Sequence, residues 1–115
     1  MQTTISGGKK QVKIDTEGPV VLIGEKINPT GRKKLAEALT RRDFDYVREL
    51  ATRQVAAGAD VLDVNVGVPG IDDVALLPEV VKVVASVVDA PICLDSPNPK
   101  ALEAGLAAAP GKPLV

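Results

Sequence analysis

The chain has no histidine, no tryptophan and one cysteine, Cys93, and aromatic residues make up only 2% of its 115 residues. Without histidine, a Ser-His-Asp triad, a Cys-His pair and a histidine-ligated metal are excluded within this polypeptide. A single cysteine excludes an intrachain disulfide and a cysteine-rich zinc framework, and it points to a reducing compartment, so a cytoplasmic location is expected. So few aromatics leave almost no platform on which single-stranded bases could stack. The formal net charge is -1, with no basic excess to attract a polyanion, so nucleic acid is not an expected partner. Residues Met1 to Lys10 lack the apolar centre of a signal peptide, and no apolar run nears the ~20 residues of a membrane span. A soluble, unexported protein with no membrane partner is therefore expected. Its chemistry must rely on carboxylates, amides or a cofactor.

What is present is the composition of one globular domain: 45% hydrophobic residues and 25% charged residues of both signs. Polar and apolar residues alternate over Gln11-Val12-Lys13-Ile14, and Ser6-Gly7-Gly8-Lys9 before them is turn chemistry, which points to a small N-terminal hairpin. Residues 1–17 read as an extension. After the break at Glu17-Gly18-Pro19, the continuous apolar run Val20-Val21-Leu22-Ile23 has the character of a parallel strand buried on both faces. The loop Asn28-Pro29-Thr30-Gly31 follows, then a short helical piece over Lys34 to Leu39.

A longer helix is predicted from about Asp43 to Ala57. Val47, Leu50, Ala51 and Val55 fall on one face, Asp43 serves as N-cap, and Gly58 follows the C-cap. Val61 to Val66 forms the second strand, ended by Gly67-Val68-Pro69-Gly70. Leu77 to Val88 is rich in β-favouring valine, but its length and period favour helix, with Val80, Val81, Val84 and Val88 on one face and Pro78 and Glu79 in the first turn. Ile92 to Asp95 is a third strand. Asn98-Pro99 then caps and opens a helix to about Ala109, and Lys112 to Val115 begins a fourth strand.

This alternation of strand and helix implies right-handed βαβ units in sequential order, with all helices on one side of the sheet. The bare side is what the interior of a TIM-type (β/α)8 barrel would be before closure, and no dinucleotide-binding fingerprint argues for a doubly wound sheet. Residues alternate sides along a strand, so Ile23 and Glu25, Asp63 and Asn65, and Cys93 and Asp95 form same-side pairs. Barrel sites lie at the C-terminal ends of strands. Glu25, Asn28, Asn65 and Asp95 are thus the candidates to converge on one ligand, while Asp63 reads as a structural barrel acid and Cys93 as a small buried residue.

Three ordered runs resemble a known family. Gly24-Glu25-Lys26-Ile27-Asn28-Pro29-Thr30-Gly31, Leu62-Asp63-Val64-Asn65-Val66-Gly67, and Cys93-Leu94-Asp95-Ser96 with Ala101-Leu102-Glu103-Ala104-Gly105-Leu106 are similar to methyltetrahydrofolate:corrinoid protein methyltransferases. The resemblance runs from about Val20 to Val115. It implies that residues 18–115 are the N-terminal part of a pterin-binding barrel, about three βα units and the start of strand four, of the type also found in the folate module of methionine synthase and in dihydropteroate synthase. It further implies transfer of the N5 methyl group of methyltetrahydrofolate to a Co(I) corrinoid on a partner protein.

In that family the aspartate after the third strand binds the pterin, and Asp95 stands at its place. A carboxylate can accept two adjacent N–H groups of a pterin edge in parallel. Glu25 and Asn28 belong to the first-strand motif, and Asn65 ends strand two. No residue is assigned as catalytic, because the cobalt supplies the nucleophile. The family's later pterin ligands fall beyond Val115, so little or no catalysis is expected of the chain alone.

Simpler roles stand beside these. Asp95 could cap the turn into the helix at Asn98, Glu25 could pair with Lys26 or Arg32, and Asn28 and Asn65 could be turn residues. Arg32-Lys33-Lys34 fits a solvated helix face better than a site for a folate glutamate tail. The enzymatic alternative is a dihydropteroate synthase, whose second-strand loop carries Gly-Gly-x-Ser-Thr-Arg-Pro-Gly; Asn65-Val66-Gly67-Val68-Pro69-Gly70 lacks the Ser-Thr and the Arg. The other alternative is a noncatalytic fragment that self-associates through its bare sheet or joins a complementing barrel half.

Overall fold

The computed structural model describes residues 2–15 and 17–115, so within the predicted extension Met1 and Thr16 lie outside the described residues. Strands β1 (Gln2–Ser6) and β2 (Gln11–Asp15) form the antiparallel hairpin expected from the alternation and the glycine turn. The remaining order is β3 (Ile23–Ile27), α1 (Lys33–Thr40), α2 (Asp45–Ala56), β4 (Val61–Val64), α3 (Asp73–Val87), β5 (Ile92–Leu94) and α4 (Pro99–Ala108). Strands β3, β4 and β5 make a parallel sheet in sequential order, with no reversal of direction. Leu114 adds the fourth position: its N–H donates to the Ile92 carbonyl at 2.9 Å and its carbonyl accepts from Leu94 N–H at 2.8 Å.

One face of the sheet carries the main core. Ile27, Leu62, Val64, Ile92 and Leu94 pack with Leu35 and Leu39 of α1, Val47, Leu50 and Ala51 of α2, Leu77, Val80, Val81 and Val84 of α3, and Ala101 of α4. Each large side chain withdrawn there stabilises the fold by roughly 1.5–3 kcal/mol before chain entropy is charged against it. The alternate residues face the other way. Val61 packs with Ile5 and Val12 of the hairpin, joined by Ile14, Val21, Cys93 and Leu114. Ser6 and Lys112 exchange backbone hydrogen bonds of 2.7 and 3.1 Å, which ties the hairpin to the start of the fourth strand. The hairpin thus floors the helix-free face at the N-terminal end of the strands.

Several local expectations are corrected. The first parallel strand is Ile23–Ile27, not Val20–Ile23, and Val20 and Leu22 are 84% and 54% exposed. An apolar run by itself does not locate a strand; the pairing partner does, and β4 begins opposite Ile23. Helix α2 is preceded by Phe44 rather than capped by Asp43, and its buried stripe ends on Gln54 instead of Val55. Gly58 does follow the C-cap, with φ of +107°, a conformation that costs a residue bearing a Cβ much more.

Helix α3 starts four residues earlier than Leu77, and Pro78 therefore lies inside it rather than in its first turn. Asp72 is its cap: the carboxylate accepts from the N–H groups of Val74 and Ala75 at 3.1 and 3.4 Å, offsetting donors that the helix start leaves open. Asn98 caps α4 as expected, accepting from Lys100 N–H at 3.0 Å, and its amide also donates to Asp73 at 3.0 Å.

Candidate functional site

The sheet register sets the site. Ile23 lies opposite Val61, and Asp63 opposite Cys93. Strand alternation then puts Asp63 and Cys93 on the helix-free face, with Asp95 two residues further along the same side. Strand β3 is irregular between Gly24 and Ile27, where the pairing shifts register. Gln54 of α2 repairs the interruption: its side-chain oxygen accepts from Lys26 N–H at 2.9 Å and its amide donates to the Leu50 carbonyl at 3.3 Å. A Cβ on Gly24 would stand 2.5 Å from that oxygen, so only glycine lets the side chain reach across the strand.

Three acids and a thiol meet on this face. Asp63 is only 8% exposed, whereas Asp95 and Glu25 open to solvent. The Asp63 carboxyl is pushed up to about 6, first by burial and then by hydrogen bonding with Asp95 and by the Asp95 charge; hydrogen bonding with the Cys93 thiol pulls the other way, and the charge of Glu25 adds to the rise. Cys93 is pushed up to about 12 by burial, by the charge and hydrogen bonding of Asp63, and by the charges of Asp95 and Glu25. Among the described residues the ion pairs are Arg42 with Glu79, Arg48 with Asp45 and Arg53 with Glu49, all on the helical side. Among the described residues, therefore, no cation pairs with the acid cluster. It forms a wall rich in hydrogen-bond acceptors, suited to a flat ring that presents adjacent N–H donors.

The four predicted site residues occupy different situations. Glu25 faces the cluster electrostatically and makes no ion pair with Lys26 or Arg32 among the described residues. The turn into α4 is built by Ser96, whose hydroxyl accepts from Asn98 N–H at 3.1 Å, and by Asn98; the solvent-exposed Asp95 carboxylate is left beside Asp63. Asn28 and Asn65 are turn residues in this state. The Asn28 side-chain oxygen accepts from Thr30 N–H at 3.0 Å, and that of Asn65 from Gly67 N–H at 2.8 Å.

Their loops lie side by side around a crevice of about 330 Å³ lined by Pro29, Thr30, Gly31, Gly67, Val68 and Pro69. Two residues were undervalued in the sequence. Asp63 is central to the cluster, and its place two residues before Asn65 on an inward side was the available signal. Gln54 had no signal beyond its helical register. Cys93, expected to be an ordinary buried residue, is half-buried with its thiol against Asp63. Lys34, in the basic run, lies over the Tyr46 ring at 4.6 Å from its centroid, on the helical side.

Residues 24–115 match the family model described as pterin binding enzyme. The chain is 33% identical over 88 residues to a methylcorrinoid:tetrahydrofolate methyltransferase of Eubacterium limosum, covering 74% of this chain and 31% of that protein. It is 34% identical over 90 residues to methionine synthase of Mycobacterium tuberculosis, covering 78% of this chain and 8% of that protein. Against methionine synthase of Mycobacterium leprae the identity is 36% over 87 residues, covering 76% and 7%. The chain thus spans less than a third of the length of each of these relatives. The hairpin lies before the family match.

Proposed function

Because this chain belongs to the pterin binding enzyme family, we propose that it forms the first three βα units of a (β/α)8 barrel whose strand tips hold the pterin of methyltetrahydrofolate. In the whole protein that site serves transfer of the N5 methyl group to the Co(I) corrinoid of a partner protein. The observation that carries this reading is the convergence of Asp63, Asp95 and Glu25 on one helix-free face at the C-terminal ends of parallel strands, where barrel sites are built. The name of one relative, a methylcorrinoid:tetrahydrofolate methyltransferase, supports folate as the pterin and a corrinoid as the partner in methyl exchange, in whichever direction the methyl group moves.

Asp95 accepts two N–H groups of the pterin edge, and Glu25 adds acceptor character beside it. Asn28 and Asn65 flank the ring from the adjacent loops, their amide groups free to donate once the ring is seated. The corrinoid supplies the nucleophile, and the chain's own residues bind and orient the methyl donor. The loop after β4 lacks the Ser-Thr and Arg of dihydropteroate synthases, which supports methyl transfer over that chemistry.

The direct test is titration of methyltetrahydrofolate into the barrel completed by its remaining strands, alongside its Asp95→Ala variant. Loss of a charge-assisted pair of hydrogen bonds predicts affinity lower by roughly tenfold or more. Unchanged affinity would remove Asp95 from the site. The chain on its own self-associates along β3: Leu22 and Ile23, 54% and 42% exposed, border a strand edge with no partner among the described residues. A monodisperse monomer by light scattering would refute that.

A further inference from the structure

Asp63 is, among the described residues, the one acid on the helix-free face that is more than nine-tenths buried, and no described lysine or arginine pairs with it. The titratable groups acting on it are Cys93 and Asp95 from β5 and Glu25 from β3, while the hairpin below packs Ile5, Val12 and Ile14 into that layer. Among the described residues no backbone N–H, lysine or arginine donates to its carboxylate. Two carboxylates in contact with no cation between them, one of them withdrawn from water, disfavour the doubly ionised state; one holds a proton that the other accepts. The buried partner is the one that keeps it, because Asp95 opens to water and Asp63 does not.

We propose that Asp63 is a positioning residue for Asp95: its protonated carboxyl donates to one Asp95 oxygen and turns the remaining acceptor lone pairs of Asp95 toward the ring bound at the strand tips. This rests on the pterin reading above. The proton stays on Asp63 throughout, so no bond to the substrate forms or breaks. The role is orientation and charge balance: one negative charge is shared across the two acids when the neutral, N–H-rich edge of the ring arrives. Ionising Asp63 adds a second charge, removes the donor that fixes Asp95, and lets the carboxylate swing.

Two measurements test this. Carbon-13 titration of the aspartate side-chain carboxyls in this chain should show the Asp95 carboxyl signal moving as Asp63 titrates near pH 6, and that movement should vanish in Asp63→Asn. An Asp95 signal indifferent to the protonation of Asp63 would overturn the proposal without any reference to ligand. In the completed barrel, methyltetrahydrofolate affinity should fall roughly tenfold as pH rises from 5 to 8. Asp63→Asn, whose amide keeps a permanent donor toward Asp95, should bind with no such fall, and Asp63→Ala should bind weakly throughout. An Asn variant no better than Ala, or a flat profile in the unaltered protein, would also overturn it. Coupled titration together with no pterin binding at any pH would instead sink the functional reading, and the positioning role with it.

Discussion

Replacing Asp63 by Asn should stabilise the chain at neutral pH and leave its stability nearly unchanged in acid. The Asp63 carboxyl is raised from 3.8 to about 6 by burial and by Asp95, so the folded state binds its proton more tightly than the unfolded state does. For an acid shifted upward, the unfolded chain releases the proton first as pH rises. Folding stability is therefore intact below about 4, declines between about 4 and 6, and above that carries the full cost.

At 1.36 kcal/mol for each tenfold change in proton affinity, the cost comes to about 3 kcal/mol. The carboxyl borders an open mouth and shares its proton with Asp95, so about 2 kcal/mol is the working expectation for the variant's gain above pH 7. That is a large fraction of the stability of a domain this size. Asn is close in shape to the protonated acid, and this makes the difference near zero at pH 4. Urea unfolding of both proteins at intervals from pH 4 to 8 reads the difference directly. A gain that does not change with pH, or a loss that grows as pH rises, would refute the reasoning, because either would mean that Asp63 is not desolvated beside another acid.

Other expectations follow from single contacts. Gln54→Leu keeps the volume but leaves the Lys26 N–H without its acceptor, and should cost about 1–3 kcal/mol while speeding hydrogen exchange at Lys26 more than at Leu62. Ile5→Ala empties the centre of the hairpin core, where Ile5 is 1% exposed, and should cost about 2–4 kcal/mol in thermal or urea unfolding. A hairpin that only decorated the surface would show almost no change. Cys93, pushed up to about 12, should react with iodoacetamide at pH 8 about a thousandfold more slowly than the same residue in urea, because the thiolate fraction falls by that ratio. Equal rates would show that the thiol is neither buried nor beside negative charge.

The order of elements could be read from the chain because each rests on local physics. The alternation and glycine turn of the hairpin, Gly58 at positive φ after α2, and the Asn98-Pro99 entry to α4 are settled within a few residues, and all stand where expected. Boundaries that depend on a distant partner were misplaced. The first parallel strand moved to Ile23–Ile27 because β4 sets its pairing, and α3 gained a turn because Asp72 could satisfy its open N–H groups.

Glu25 and Asp95 could be named from residue type and from alternation along a strand, since an inward carboxyl at a strand tip announces itself in the sequence. The standing of Asp63 could not be. Its burial, the approach of Asp95, and the hairpin closing the floor beneath are consequences of strand register and packing between segments far apart in the chain. Local periodicity determined which residues could face one another. Only the tertiary structure decided how dry that meeting place is, and desolvation is what makes one of these acids hold a proton while its neighbour stays open to solvent.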